Sequence, residues 1–313
     1  MDSDNGNQRA AAYIKEILEL RGIPRNQVAA ISGLSNTYIQ HLENGQIKNV
    51  DRRKVIALAV ALNMNLREID NMLTLFDRAK LSENDIPLFI ESGGDRKITS
   101  ALLPLQAWFT YELIILIGES TPGRIVIVND QPTANLLPQG YRTYFNRNIV
   151  DPHPIYFKLI EAVGRARQSN FINLLDQYPV EHYICRKCLE TYIHKDADIK
   201  DKQWKQKHVE NLIHFIHNYD NFSISLTDSC SRFNFTIKTP DPDIGGNEKL
   251  FFQGKAPHAH LVESEQNLTG FATGNQVVIQ NFMGGLESIK KKVIAELEDP
   301  KHMVGYLEGL IGK

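Results

Sequence analysis

The sequence contains few cysteines, with three in 313 residues. Three thiols cannot form the paired disulfide framework that stabilises small secreted domains, so we expect a reducing compartment and a cytoplasmic protein. The first residues, MDSDNGNQRA, also lack a basic segment followed by an apolar stretch. We therefore expect no secretory signal at the start of this sequence.

Long apolar runs are absent as well. The longest one, residues 101–117, is interrupted by Pro104 and contains Gln106, Thr110 and Glu112. A membrane-spanning helix needs about 20 predominantly apolar residues, so we expect no membrane span. Hydrophobic residues make up 42% of the chain and charged residues 23%, which is typical of a soluble globular protein. The length predicts about two domains.

The small formal net charge of -2 hides an asymmetry along the chain. Residues 9–80 contain eleven Lys or Arg and seven Asp or Glu, which gives +4, and the remaining residues therefore carry -6. A basic N-terminal region on a mildly acidic body indicates contact with nucleic acid at one end of the chain.

Hydrophobic patterning predicts a multidomain protein. Residues 1–8 are polar and predict a disordered tail, residues 9–80 are helical in pattern, and residues 81–100 are rich in Ser, Gly, Pro and charge, as in a linker. Residues 101–313 predict an α/β (or α+β) domain with a central sheet, because strand patterns alternate there with helical ones. The predicted strands are 124–129, 171–175, 222–227, 233–238, 249–253 and 277–280, and the predicted helices are 105–119, 154–168, 200–218, 282–297 and 300–311.

The most informative segment is residues 24–45, PRNQVAAISGLSNTYIQHLENG. Gly33 predicts the end of one helix in a left-handed conformation, and Ser35 is a suitable N-cap for the next helix. On that second helix Ile39 and Leu42 point inward and leave a polar outward face. The segment lies within a predicted frame of five helices at 9–21, 25–32, 35–43, 51–62 and 66–79.

This segment resembles the recognition motif of the XRE family of helix-turn-helix regulators, which are similar to the lambda Cro protein and repressor. The residues that match the family pattern are Val28-Ala29, Gly33, Ser35 and Leu42-Glu43-Asn44-Gly45. Ser32 departs from it, since an apolar residue usually precedes the glycine. The resemblance covers about 70 residues and implies an all-α, five-helix, lambda-repressor-like domain that binds DNA.

The resemblance also implies roles for individual residues. The uncharged or switchable polar groups on the outward face suit the base edges of a major groove, and the implied base-reading residues are Asn36, Thr37, Gln40 and His41. The residues implied to contact phosphates are Arg25, Gln27, Asn44, Gln46 and Lys48. We interpret Glu43 as a structural residue, paired with Arg21 or Arg53.

In the body, the segment HYICRKCLETYIH places four possible metal ligands within thirteen residues: His182, Cys185, Cys188 and His194. Cys-x-x-Cys is a metal-ligand spacing, and two histidines could complete a tetrahedral zinc site. Two alternatives stay open. The cysteines could be small buried hydrophobes, or they could form a redox pair. No other cofactor is predicted.

A helix-turn-helix with a large appended body is the usual layout of a one-component transcriptional regulator. We therefore expect a homodimer that binds a double-stranded DNA operator, with a body that dimerises through the helix at 105–119 and responds to a small-molecule or redox effector. No nucleophile accompanies an interpretable base, so we expect no enzymatic activity. The alternatives are a DNA-tethered enzyme, such as a nuclease or transferase, and an antitoxin-like protein-interaction module.

Overall fold

The computed structural model of the protein describes residues 3–91, 97–105, 108–195, 198–231, 233–254 and 270–312. The described residues fall into two compact units. Unit 1 takes its residues from Met1–Ser120, Asn146–Val163 and Ala256–Asn275, and unit 2 from Thr121–Phe145, Gly164–Lys255 and Gln276–Lys313. Among the described helices, none has the length and apolar character needed to cross a lipid bilayer.

The chain opens with five helices, as the sequence predicts: α1 Ser3–Arg21, α2 Arg25–Ser32, α3 Asn36–Glu43, α4 Arg52–Ala61 and α5 Leu66–Leu75. The side chains of Ser35, Asp51 and Asn65 accept hydrogen bonds from the first-turn N–H groups of α3, α4 and α5. These caps satisfy backbone donors that have no partner within the helix. The core between the helices is aliphatic and includes Ile14, Val28, Ile39, Leu58 and Leu73.

Helix α1 begins at Ser3 and not at Arg9, so residues 3–8 are helical where the sequence predicted a disordered tail. Asn5 and Gly6 are poor helix formers, but Asn7 is buried, and a Cβ on Gly6 would lie 3.7 Å from the carbonyl oxygen of Leu75. Tertiary packing therefore overrides the weak local propensity.

The remaining elements follow the helical region in the chain. The other helices are α6 Ile86–Glu91, α7 Trp108–Glu119, α8 Tyr141–Phe145, α9 Tyr156–Leu175, α10 Arg186–His194, α11 Ile199–Asn218, α12 Gln276–Lys290 and α13 Pro300–Leu310. The strands are β1 Leu103–Leu105, β2 Gly123–Asn129, β3 Val180–Cys185, β4 Phe222–Thr227, β5 Asn234–Pro240, β6 Lys249–Gln253 and β7 Gly270–Thr273.

Unit 1 contains more than the five helices. Strands β1 and β7 pair antiparallel, with Leu103 opposite Ala272. Asn63, two residues after the end of α4, donates to the carbonyl of Pro104 and accepts a hydrogen bond of 2.7 Å from the hydroxyl of Thr110. From α5, Arg67 pairs with Asp151 and Asp70 with the buried His153. The five helices are therefore fixed to later parts of the chain by polar contacts within unit 1.

Helix α7 corresponds to the predicted helix at 105–119, which we expected to contact a second copy of the chain. Every residue from Phe109 to Glu119 is buried. The long apolar run thus reflects a helix that is buried on all sides within one chain. From Phe109 to Glu119 it presents no exposed apolar face, so the interpretation of this helix as a dimer contact is wrong.

Unit 2 is built on a mixed sheet in which five strands follow the order β6-β5-β2-β3-β4. Strands β2, β3 and β4 are parallel, with Ile125 opposite Val180 and Val180 opposite Phe222. Strands β5 and β6 extend the sheet in antiparallel pairs. Helices follow β2 and β3 before the next parallel strand, as in βαβ units, so the α/β prediction is confirmed.

The start of β2 imposes a close approach between backbones. Gly123 has a φ of 135°, and a Cβ at this position would lie 2.2 Å from the carbonyl oxygen of Thr239 on β5. The buried Lys238 donates a hydrogen bond of 2.7 Å to the carbonyl of Gly123. Only glycine fits this backbone conformation and this spacing.

Two strand predictions are wrong. Residues 171–175 form the last turns of α9 and residues 277–280 the first turns of α12. Short apolar runs fit a buried helix as well as a strand, and here the burial of Phe171 and Leu175, and of Ile279 and Leu286, follows a helical spacing. The sequence reading also missed β3 and α10.

Candidate nucleic-acid interface and a cluster of thiols

The turn between α2 and α3 has the geometry that the motif predicts. Gly33 has a φ of 70°, and its N–H donates to the carbonyl of Ala29 at 3.0 Å. The Ser35 hydroxyl accepts a hydrogen bond of 3.1 Å from the N–H of Tyr38. Ser32 is buried, and its hydroxyl accepts from the N–H of Leu34 at 3.2 Å. The polar residue that departs from the family pattern is therefore satisfied by the turn itself.

Helix α3 separates buried and exposed side chains sharply. Ile39, Leu42 and Glu43 are buried, and the four predicted base-reading residues are all exposed: Asn36, Thr37, Gln40 and His41. At about 100° per residue, these four side chains lie within an arc of about 140° on one side of the helix. The structure therefore brings the predicted base-reading residues together on one solvent-facing surface, which we call the α3 face.

The predicted phosphate-contacting residues do not all share this exposure. Asn44, Gln46 and Lys48 are exposed in the segment that follows α3. Gln27 is fully buried, and neither its amide oxygen nor its amide nitrogen has a hydrogen-bond partner. Gln27 lies near the start of α2, as the motif implies, but its side chain is in the interior and is not exposed for contact with a phosphate.

Arg25 and Glu43 connect the start of α2 to the end of α3. The guanidinium binds the carboxylate through two hydrogen bonds, of 3.1 Å from Nε and 2.6 Å from an Nη atom. The hydrogen bond to Glu43 raises the pKa of Arg25 above its ordinary value. The expected partners of Glu43 were wrong, because Arg21 pairs instead with Glu68 at 2.8 Å. Glu43 has the structural role predicted for it, and Arg25 is its partner.

Basic side chains border α3 on the side of α4. Arg53 and Lys54 are exposed, and the ammonium of Lys54 lies 4.4 Å from the centre of the Tyr38 ring. Arg52 has a different environment, since it binds the carboxylate of Asp85 at 2.6 Å and donates to the carbonyl of Lys80. Arg52 therefore holds the chain after α5 in place, and Arg53 and Lys54 contribute positive charge to the surface.

A second candidate site lies in unit 2, where all three cysteines of the chain meet. The sulfur atoms of Cys185, Cys188 and Cys230 lie within 4.8 Å of one another, and those of Cys188 and Cys230 are 3.2 Å apart. None of the three forms a disulfide. Cys185 is buried, Cys188 is half-buried and Cys230 is exposed, so the cluster reaches the surface. We call these three residues the thiol cluster.

The topology of the sheet explains why these residues meet. Cys185 ends β3 and lies opposite Thr227, the last residue of the parallel strand β4. Cys188 is in the first turn of α10, and Cys230 follows β4 by three residues. An ion pair of 3.1 Å between Arg186 and Asp228 joins the same two segments. The cluster therefore occupies the carboxyl edge of two parallel strands, where α/β sheets commonly bind ligands.

The structure places the two predicted histidine ligands away from the thiol cluster. His182 is three residues before Cys185 on β3, and successive side chains of a strand point to opposite faces. It is fully buried, and neither ring nitrogen has a hydrogen-bond partner. His194 is exposed at the end of α10, about 9 Å along the helix axis from Cys188. Cys230 takes their place in the cluster. The spacing of residues 182–194 does not indicate it, because Cys230 lies 42 residues from Cys188.

Burial and hydrogen bonding to Cys230 and Cys185 raise the pKa of Cys188 to about 12. Cys188 is therefore a neutral thiol at neutral pH in the absence of a bound cation. Cys185 is the N-cap residue of α10, and its side chain makes no capping hydrogen bond.

Comparison with known proteins agrees with the local geometry of the first helices. A helix-turn-helix family model matches residues 14–69, the segment that contains α2, α3 and the turn between them. These residues form a helix-turn-helix region of the type found in DNA-binding transcriptional regulators. The rest of the chain has no family match, and no curated protein matches the sequence.

Proposed function

We propose that the protein is a sequence-specific transcriptional regulator that binds double-stranded DNA with α3 in the major groove. The observation that carries this proposal is the α3 face, where four polar side chains are exposed on one side of a short capped helix within the matched region. Amide, hydroxyl and imidazole groups can pair with the base edges of a major groove, which is wide enough for a helix.

The charges around the α3 face are compatible with DNA phosphates. Lys48, in the segment after α3, and Arg53 and Lys54, on α4, are exposed, and residues 9–80 carry a formal charge of +4. Contacts of Lys and Arg with phosphates supply affinity and fix the orientation of the protein, and base contacts supply the specificity. The proposed role is therefore regulatory binding and not catalysis.

We further propose that the protein acts as a homodimer whose remaining chain responds to a chemical signal. One short helix reads only a few base pairs, and two copies would read two half-sites about 34 Å apart or at a multiple of that distance. Because α7 is buried, the contact between copies must use another surface. Sedimentation of the full chain with and without a palindromic duplex tests the dimer, and a monomer bound to a single half-site would contradict it.

The DNA-binding proposal is tested by selecting duplexes from a randomised library with the full-length protein and its variants. Asn36→Ala and His41→Ala should each relax the preference at single base positions by about 1–3 kcal/mol. Lys48→Ala is the matched control and should weaken binding to all sequences alike, with a salt slope that is smaller by about one. A selection profile that none of the changes on α3 alters would contradict the assignment of α3 as the reading helix.

A further inference from the structure

The thiol cluster brings all three cysteines together at a partly exposed position, which a role in packing does not explain. The chain has only three cysteines, and all three converge from two segments that are 42 residues apart. Buried cysteines often act as small hydrophobes, but Cys188 is only half-buried and Cys230 is exposed. Two of the three thiols are therefore within reach of solvent, where they gain little from packing.

We propose that Cys185, Cys188 and Cys230 bind one thiophilic divalent cation of the zinc class as three thiolate ligands. Soft thiolate ligands select zinc and related metals over the hard cations that prefer oxygen. The site is in unit 2, away from the helix-turn-helix residues in the sequence, and the proposal does not rest on DNA binding.

The distances fit this cation. Zinc binds thiolate sulfur at about 2.3 Å, and tetrahedral geometry then separates two sulfurs by about 3.8 Å. The sulfurs of Cys188 and Cys230 are 3.2 Å apart, and all three lie within 4.8 Å of one another. Side-chain adjustments of the order of an ångström would bring them into this geometry. A disulfide requires about 2.05 Å between two sulfurs and would leave the third thiol unused.

The charges near the cluster also support the binding of a cation by three thiolates. Three thiolates and one divalent cation carry a net charge of -1. Lys187 lies between Cys185 and Cys188 in the sequence, and Lys292 donates to the hydroxyl of Ser229, next to Cys230. The N-terminus of α10 adds a further partial positive charge at Cys185. These groups offset the remaining negative charge of the complex.

The fourth coordination position is the distinctive feature of the proposed site. In the described part of the chain, no further His, Cys, Asp or Glu joins the three sulfurs. A structural zinc site is closed by four protein ligands, and a site with three keeps a position for water or another small ligand. With the three ligands that the described residues supply, the fourth position would be taken by water or by a small anionic or thiol-containing molecule.

The cation would add a further link between two segments that already meet at the end of the sheet. It would join the junction of β3 and α10 to the segment after β4, alongside the ion pair of Arg186 and Asp228. The same segment contacts the chain after α12, since the N–H of Asp228 donates to the carbonyl of Lys292 and Thr227 bridges to Val293. Occupancy of the site should therefore slow hydrogen exchange in residues 226–230 and 292–294.

The test uses the full-length protein, purified with a reductant and a chelator and then freed of both. Zinc titration against a chromophoric chelator should show one tight site per chain, and cobalt should give the intense thiolate-to-metal absorption of a tetrahedral site. Cys230→Ser should lower the zinc affinity by more than about 100-fold, beyond the roughly 10–100-fold typical of changes to groups around the ligands. Because Cys230 is exposed, this variant should keep the native circular dichroism spectrum.

His194→Ala is the control that separates the three-thiol site from the site predicted by the sequence. Three thiolate ligands predict an unchanged zinc affinity, and a site of His182, Cys185, Cys188 and His194 predicts a loss. The proposal is overturned if the reduced protein binds no zinc at stoichiometric concentration. It is also overturned if His194→Ala weakens binding as strongly as Cys230→Ser does. DNA binding is measured separately on the same samples, so neither result affects the proposed function.

Discussion

The α2–α3 region and the sheet of unit 2 differ in how far apart along the chain their defining contacts lie. The Gly33 turn, the Ser35 cap and the α3 face involve residues between positions 29 and 41. In unit 2 the corresponding features connect Gly123 to Thr239 and Cys188 to Cys230. The first region is determined by local rules and the second by topology, so the two should respond differently to substitution and to pH.

Gly123→Ala should have the largest effect, because a Cβ would lie 2.2 Å from the carbonyl oxygen of Thr239. We expect a loss of about 3 kcal/mol or more in the free energy of unfolding of unit 2. Gly33→Ala is the matched change, since a Cβ there meets no atom within 4 Å. It should cost only the 1–2 kcal/mol or so of a left-handed residue.

The two tryptophans of the chain provide separate readouts for this comparison. Trp108 is in unit 1 and Trp204 in unit 2. Urea titrations followed by the fluorescence of Trp108→Phe and Trp204→Phe proteins therefore report on one unit each. A similar cost for Gly123→Ala and Gly33→Ala would contradict the close approach of the two backbones at the start of β2.

As the pH falls, the free energy of unfolding of unit 2 should decrease at a higher pH than that of unit 1. Burial and the neighbouring His208 lower the pKa of His182 to about 3, and burial lowers that of His208 to about 4. The unfolded histidines take up protons below about pH 6.5 and the folded ones do not, so stability is complete above pH 6.5 and falls below it. By pH 5 each histidine should cost about 2 kcal/mol.

In unit 1 the shifted pKa is that of Asp85, and it affects stability in a lower pH range. Burial raises the pKa of Asp85, but hydrogen bonds from Arg52 and Ser82 outweigh it, and the net pKa lies below 3.8. The stability that this pair contributes is present above about pH 4 and is lost below it. Urea titrations of the two single-tryptophan proteins at pH 7 and pH 5 measure the difference, with the exposed His194→Gln as a control. An equal change in the free energy of unfolding between pH 7 and pH 5 in both proteins would contradict this prediction.

Substitutions of Arg25 and Glu43 should have the smallest effect on stability. They distinguish two roles of Arg25, positioning of α3 and contact with a phosphate. Because Arg25 is half-exposed, the loss of the pair in Glu43→Gln should cost only about 1 kcal/mol of stability. If Arg25 also contacts a phosphate, Arg25→Ala in the Glu43→Gln background should still weaken binding to every DNA sequence and reduce the salt slope by about one. An unchanged affinity in that background would leave Arg25 as a positioning residue only.

The elements that could be predicted from the sequence are those with local determinants. The ends of α2 and α3 follow from Gly33 and Ser35, and the exposure of Asn36 and His41 follows from the helical spacing of Ile39 and Leu42. The turn and the face it presents were therefore predictable within one short segment, and the structure agrees with both.

The features that the sequence reading missed depend on pairing between distant segments. Strand β3 contains the polar residues Glu181 and His182, so its pattern does not indicate a buried strand, although parallel neighbours cover both of its edges. Without β3, nothing in the sequence aligns Cys185 with the end of β4 or brings Cys230 to Cys188. The partner of Glu43 was missed for a related reason, since several arginines were available and only the fold selects Arg25.

The hydrogen bonds of Asn63 have a consequence for the modularity of the chain. Asn63 joins α4 to Thr110 and Pro104, and Asp70 joins α5 to His153, so the five helices are completed by partners that come later in the sequence. A fragment ending at residue 80 would leave the buried Asn63 without these partners and Asp70 without its histidine. A recombination that exchanged residues 9–80 alone would have to keep both residues. Residues 9–80 are therefore expected to be less stable as an isolated fragment than within the full chain.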